Sequence, residues 1–159
     1  MPDLLVNLYD KRLEVLRERT QAVPATVRPA LPPEAEYVVD WVRRRFHERW
    51  SSEVTVAMAH RPAACLIAVE AGELAGFACF DTTARGFFGP TGVRPESRGR
   101  GFGLALLSAS LQALKALGHA YAVIGDPGPI QFYVDAVGAH PIPGGDGSLY
   151  HGMLRSPQV

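Results

Sequence analysis

The 159-residue chain has only two cysteines, Cys65 and Cys79, too few for a disulfide framework. Both sit in apolar surroundings, on strands expected to form one hairpin, and read as reduced core residues rather than metal ligands. No apolar run approaches the roughly 20 residues that cross a bilayer. The opening Met1-Pro2-Asp3 lacks the charged n-region of a secretory leader, so a cytoplasmic protein without membrane association is expected. Neither sign of charge is in excess, with 16 basic and 16 acidic residues, which removes any global drive toward nucleic acid. The five histidines, His47, His60, His119, His140 and His151, are scattered without a second ligand at useful spacing, and no metal site is expected. Repeats and low-complexity segments are absent as well. No Gly-Lys is followed by Ser or Thr, which excludes a nucleotide P-loop.

Glycine is plentiful, at 16 residues, and its placement is informative. Gly99, Gly101 and Gly103 alternate directly after the apolar stretch ending at Val93, and a helical pattern starts at Phe102. Such glycines adopt turn conformations closed to other residues and let an anion approach the backbone. The unpaired N–H groups of the following helix turn then point at that anion. Arg98 and Arg100 add cationic donors suited to phosphate oxygens. A dinucleotide fingerprint does not fit, because Leu104 stands where its third glycine belongs and Asp126 lies too far on to meet a ribose. The plainer alternative is a tight strand-to-helix turn, which leaves the two arginines unexplained.

The rest of the chain reads as mixed α and β elements. Asp10 to Ala22 carries Leu13, Leu16 and Thr20 at helical spacing. Ala25 to Ala30 reads as a short strand. Pro32-Pro33 opens a helix with Val38, Trp41, Val42 and Phe46 on one face, and a second helix is expected over Trp50 to His60. Cys65 to Glu70 and Glu73 to Asp81 form a hairpin across Ala71-Gly72, and Gly86 to Val93 is the strand that feeds the glycine loop. Phe102 to Leu117 is a helix with Leu107, Leu111 and Leu114 on one face and Gly118 at its end. A buried strand over Tyr121 to Gly125 and a short helix over Pro129 to Val137 follow. The chain is expected to close with a hairpin of Ala139 to Ile142 and Ser148 to Leu154.

Arg98, Gly101 and Gly103, with Gly92-Val93-Arg94-Pro95 upstream and Phe132-Tyr133 downstream, resemble the conserved motifs of the GNAT N-acetyltransferases over roughly residues 64–154. The resemblance implies an α/β acyl-CoA N-acyltransferase fold with a mixed sheet, a single domain at 25–159, and residues 1–24 as an added N-terminal helical extension. It implies acetyl-CoA as co-substrate. Gly92 and Val93 would pair with the pantetheine amides between splayed strands, while Arg98, Gly99, Arg100, Gly101, Phe102 and Gly103 hold the pyrophosphate. Tyr133 would donate to the departing thiolate. A phenol of pKa near 10 stays protonated at neutral pH and suits that task. One departure is visible: Gly138 follows Tyr133 by five residues where the family usually has four.

The expected strand over Gly86 to Val93 contains no acid or histidine, which leaves the general base to a water chain, or to Asp81 or Asp126, both of which also read as turn residues. Acceptor specificity would come from the first two helices, with Trp41, Phe46, His47, Glu48, Trp50 and Glu53, and from Phe87-Phe88. Glu48 or Glu53 facing the cleft would favour a cationic amine. The expected function is acetyl transfer to a small-molecule or peptide amine, without a metal. A non-catalytic acyl-CoA-binding or sensing module is the alternative. The N-terminal helix and final hairpin leave room for a homodimer.

Overall fold

The structure, a computed structural model, describes residues 1–155. One seven-stranded sheet runs through the molecule: β1 (Pro2–Asn7), β2 (Thr26–Pro29), β3 (Cys65–Glu70), β4 (Glu73–Phe80), β5 (Phe87–Val93), β6 (Tyr121–Ile124) and β7 (His140–Asp146). Its spatial order is β2-β3-β4-β5-β6-β1-β7, antiparallel throughout except where β5 meets β6. Five helices cover it: α1 (Lys11–Thr20), α2 (Ala35–Arg45), α3 (Glu48–Met58), α4 (Phe102–Ala116) and α5 (Ile130–Val137).

Local chemistry sets most of these boundaries. Asp10 caps α1 by accepting the Arg12 N–H at 2.9 Å, and His47 caps α3 by accepting the Arg49 N–H on Nδ1 at 3.0 Å. Ala71 and Gly72 both take positive φ, the geometry of a two-residue hairpin turn, and set Cys65 opposite Cys79. Both thiols are buried and free. Successive residues of a strand face opposite sides of a sheet, and β4 uses both. Phe77 stacks with Trp41, Phe46 and Trp50 of the α2–α3 layer. At Gly76, by contrast, an added Cβ would meet Leu106 of α4 at 3.1 Å, so α4 packs close against the other face.

Two expectations are corrected. Residues 1–24 carry a strand as well as the helix: β1 is inserted between β6 and β7, with Leu4 and Val6 wholly buried. The closing hairpin does not form. Residues 140–146 run as β7 against β1, and Ser148–Tyr150 is a single 3₁₀ turn. The glycines over 144–147 therefore belong to an edge strand and its exit rather than to a hairpin tip.

Candidate functional site

The pairing of β5 with its neighbours explains where the sheet opens. On one side, Phe88 faces Phe80 and Thr91 faces Ala78, so β5 spends one residue more than β4 over that interval, a bulge at Gly89-Pro90. On the other side β5 pairs with β6 only at Phe87↔Val123 and Phe88↔Ile124. Beyond Phe88 the two parallel strands part, and residues 89–93 run on without a partner on the β6 side. A cavity of about 290 Å³ occupies the splay, lined by Phe88 to Thr91 from β5, Ile124 at the end of β6 and the residues on to Pro129, Tyr133 of α5, Trp50 and Glu53 of α3, Thr83 and Tyr150.

Tyr133 is buried, and its ring stands edge-on to Phe88 and Phe132. Burial pushes its pKa up to about 12. The hydroxyl has no hydrogen-bond partner among the described residues and belongs to the cavity wall. Gly138 ends α5 in the left-handed conformation, its N–H bonded to Val134 O at 3.0 Å, so the extra residue is absorbed at the helix end and Tyr133 still lines the cavity.

Across the cavity, the Glu53 carboxylate accepts a short hydrogen bond from the Thr83 hydroxyl. Desolvation raises the Glu53 pKa above the usual carboxylate range, partly offset by that bond. The Tyr150 pKa is pushed up to about 12, chiefly by burial and then by the nearby negative charge of Glu53, Asp3 and Asp126. Sequence reasoning had Glu53 on the acceptor side but gave no role to Thr83 or Tyr150. Thr83 lies in an irregular turn and Tyr150 in the segment expected as a strand, and neither carries a motif. Asp126 reaches the cavity rim, with φ of +44° and its N–H bonded to Asp3 Oδ1 at 3.0 Å. Asp81 lies elsewhere and shapes a turn, accepting the Gly86 N–H at 2.7 Å with His119 Nε2 3.2 Å away.

Further along β5 lies the glycine loop. A second cavity, about 370 Å³, is bounded by Val93, Ser97, Arg98, Gly99, the residues from Gly101 to Leu104, and Phe132. Gly101 precedes α4 with φ of +87°, and the first-turn N–H groups of that helix have no intrahelical acceptors. The predicted residues Arg98, Gly99, Gly101, Phe102, Gly103 and Val93 are thus brought together. Gly92 lies on the adjoining backbone, where an added Cβ would stand 2.6 Å from the Phe46 ring.

The arginines are not equivalent. Arg100 forms a forked ion pair with Glu70, Nη2 to Oε1 at 2.7 Å, and its guanidinium lies 4.9 Å over the Phe102 ring centroid. Arg94 bonds Ser97, Glu73 and Glu70, and together these arginines hold the Glu70 carboxyl down to about 2. Arg98 spends only Nε, on Val93 O at 3.0 Å. Among the described residues no group of three His, Cys, Asp or Glu is placed to hold a metal ion, and no helix is long and apolar enough to cross a membrane.

Comparison with known proteins points the same way as this geometry. The profile of the Acetyltransferase (GNAT) family matches residues 35–135, from α2 through Tyr133. Among solved structures, a GCN5-related glucosamine N-acetyltransferase region of a fungal multi-domain beta-N-acetylglucosaminidase is similar at a TM-score of 0.71 and 17% identity, over 89% of this chain and 19% of that one. A GCN5-related N-acetyltransferase from Sphaerobacter thermophilus is similar at 0.65 and 23% identity, over 89% of this chain and 48% of that one. The chain therefore spans well under two thirds of either. A GNAT family acetyltransferase from Brucella melitensis, solved with acetyl-CoA, is similar at 0.50 and 25% identity, over 69% of this chain and 80% of that one. No protein with a curated description matches the sequence.

Proposed function

The chain belongs to the acetyltransferase (GNAT) family, and from that premise we propose that it moves the acetyl group of acetyl-CoA directly to a primary amine within a ternary complex. The observation that carries this reading is that the largely buried Tyr133, whose hydroxyl has no hydrogen-bond partner among the described residues, lines a cavity that Glu53 also lines. A pure acyl-CoA-binding module has no use for that pair.

Residues 99–103 and Arg98 are the pyrophosphate cradle, and the open edge of β5 at Gly92 and Val93 takes the pantetheine arm by strand addition. That run brings the thioester toward the splay, where Tyr133 waits. The amine must attack as the free base. Glu53, through its carboxylate or a bound water, takes the proton that a cationic acceptor sheds to become that free base. The same carboxylate, with Asp126 at the rim, favours an acceptor that arrives as a cation, whether a small amine or a peptide amine.

As the carbon–sulfur bond breaks, negative charge collects on the CoA sulfur. A thiol ionises near 8.5, whereas Tyr133 is held at about 12. Full transfer of the phenolic proton is therefore uphill by roughly 5 kcal/mol. Tyr133 stabilises the leaving thiolate by donating a hydrogen bond and keeps its proton, while the proton lost by the amine neutralises the sulfur. No covalent enzyme intermediate is needed, and Cys65 and Cys79 are buried within the sheet, outside this cavity.

Calorimetric titration with acetyl-CoA, with NADH and ATP as controls, followed by an amine panel, tests the proposal. Micromolar binding of acetyl-CoA alone is expected. Tyr133→Phe should lower kcat on the order of 10²-fold while acetyl-CoA affinity stays unchanged. Binding without turnover on any amine would leave the chain a binding module, and no binding would reduce the glycine loop to a structural turn.

A further inference from the structure

The glycine loop has a cavity on each side, and one cation serves both. The first, described above, lies toward α5. The second, about 350 Å³, is lined by Thr20, Ala22 and Val23 at the end of α1 together with Arg100 and the loop glycines. Arg19, in the last turn of α1, lines both cavities, along with Gly99, Gly101 and Leu104, and also borders a hollow between α1 and α5 beside Asp135. A ligand laid along the loop from one cavity to the other passes this residue.

We infer that Arg19 is a phosphate-binding residue of the cofactor site, a contribution of the N-terminal helix that lies outside the segment matched by the family profile. The inference rests on the acetyl-CoA reading of the loop. Charge availability argues for it. Arg100 is taken by Glu70 and Arg98 gives its Nε to Val93, whereas Arg19 has no hydrogen bond or ion pair among the described residues. It is an exposed cation, free to turn toward an anion without first breaking a bond.

Packing holds it there. Leu13 and Leu16 bury α1, which lies against α4 and α5, and the chain leaving α1 touches the loop itself: an added Cβ on Gly101 would stand 3.1 Å from the Val23 side chain. Arg17, in the same last turn, lines neither cavity. A basic residue near a helix C-terminus has a duller explanation in the helix dipole. That explanation covers Arg17 and Arg19 alike, but not the position of Arg19 between two cavities. CoA offers two phosphate sources, the pyrophosphate and the 3′-phosphate, and the same guanidinium suits either.

The test compares binding of acetyl-CoA and of 3′-dephospho-acetyl-CoA by wild type, Arg19→Ala, Arg19→Lys and Arg17→Ala, at low and high salt. Arg19→Ala should bind acetyl-CoA about tenfold more weakly or worse, as expected for a lost charged contact. Its affinity should also fall less with added salt than that of the wild type. Arg19→Lys should recover part of the loss and Arg17→Ala should match wild type. A deficit that disappears with the dephospho ligand identifies the 3′-phosphate as the contact; one that persists identifies the pyrophosphate. Arg19→Ala binding within twofold of wild type, or an equal loss in Arg17→Ala, overturns the inference while leaving the cofactor reading intact. A wild type that does not bind acetyl-CoA removes both, a distinct result.

Discussion

Glu53 sits where a carboxylate is uncomfortable: among Trp50, Tyr133 and Tyr150, with the Thr83 hydroxyl as its hydrogen-bond donor. Desolvation raises its pKa, so the folded protein holds the proton to higher pH than the unfolded chain does. The sign has two consequences. Stability contributed by Glu53 is fully present below the ordinary carboxylate range and is lost as pH rises through the raised value. Activity runs the other way, because the proposed base works only as a carboxylate. The pH profile of kcat/KM should show an ascending limb above the ordinary carboxylate range, and Glu53→Gln should remove that limb and lower kcat/KM about 10²- to 10⁴-fold. An unchanged limb in the variant would assign the base to another group. Sequence reading offered Glu48 or Glu53 as an acid facing a cleft, and the fold puts Glu53 in the cavity wall. Its partner Thr83 was not, since the bond joins residues 30 apart in sequence through a turn that has no pattern of its own.

The β5–loop–α4 unit was the most legible stretch of the chain, because an apolar run, alternate glycines and a helical period all speak locally. What it did not reveal is what surrounds it. Glu70, which engages both Arg94 and Arg100, comes from β3 and meets them only once the sheet is assembled. Gly92 is a similar case. The expected strand pairing with pantetheine asks nothing of its side chain, yet the fold requires its absence. Phe46 crosses there, its ring 2.6 Å from where a Cβ would be, and Phe46 is itself stacked against Trp41, Trp50 and Phe77. Gly92→Ala should therefore displace an aromatic cluster and cost about 1 to 3 kcal/mol in urea unfolding, with weaker acetyl-CoA binding alongside. A stability within about 0.5 kcal/mol of wild type would mean that Phe46 swings aside freely.

The whole molecule is closed by its first strand. Sequence reading found α1 from its period but passed over β1, whose six residues begin with Pro2-Asp3 and offer only Leu4, Val6 and, just beyond, Leu8 in alternation. It also gave the final strand a partner from the neighbouring sequence, whereas the partner lies at the opposite end of the chain, a pairing that no local signal announces. β1 sits between β6 and β7 and hydrogen-bonds to both, so its removal orphans β7 and leaves β6 only its short parallel pairing with β5. Leu4, Val6 and Leu8 are at most 1% exposed. Their burial together contributes roughly 5 to 9 kcal/mol, comparable with the 5–15 kcal/mol net stability usual for a domain. Deleting residues 1–9 should therefore abolish the cooperative thermal transition seen by circular dichroism, and a peptide of residues 1–9 added in trans should restore part of it. A truncated chain that melts as the full chain does would show that β6 and β7 can pair without β1. The site would register the loss as well. Asp3 of β1 anchors the Asp126 N–H at the cavity rim, so the loop that leads into α5 and Tyr133 depends on the same strand that completes the sheet.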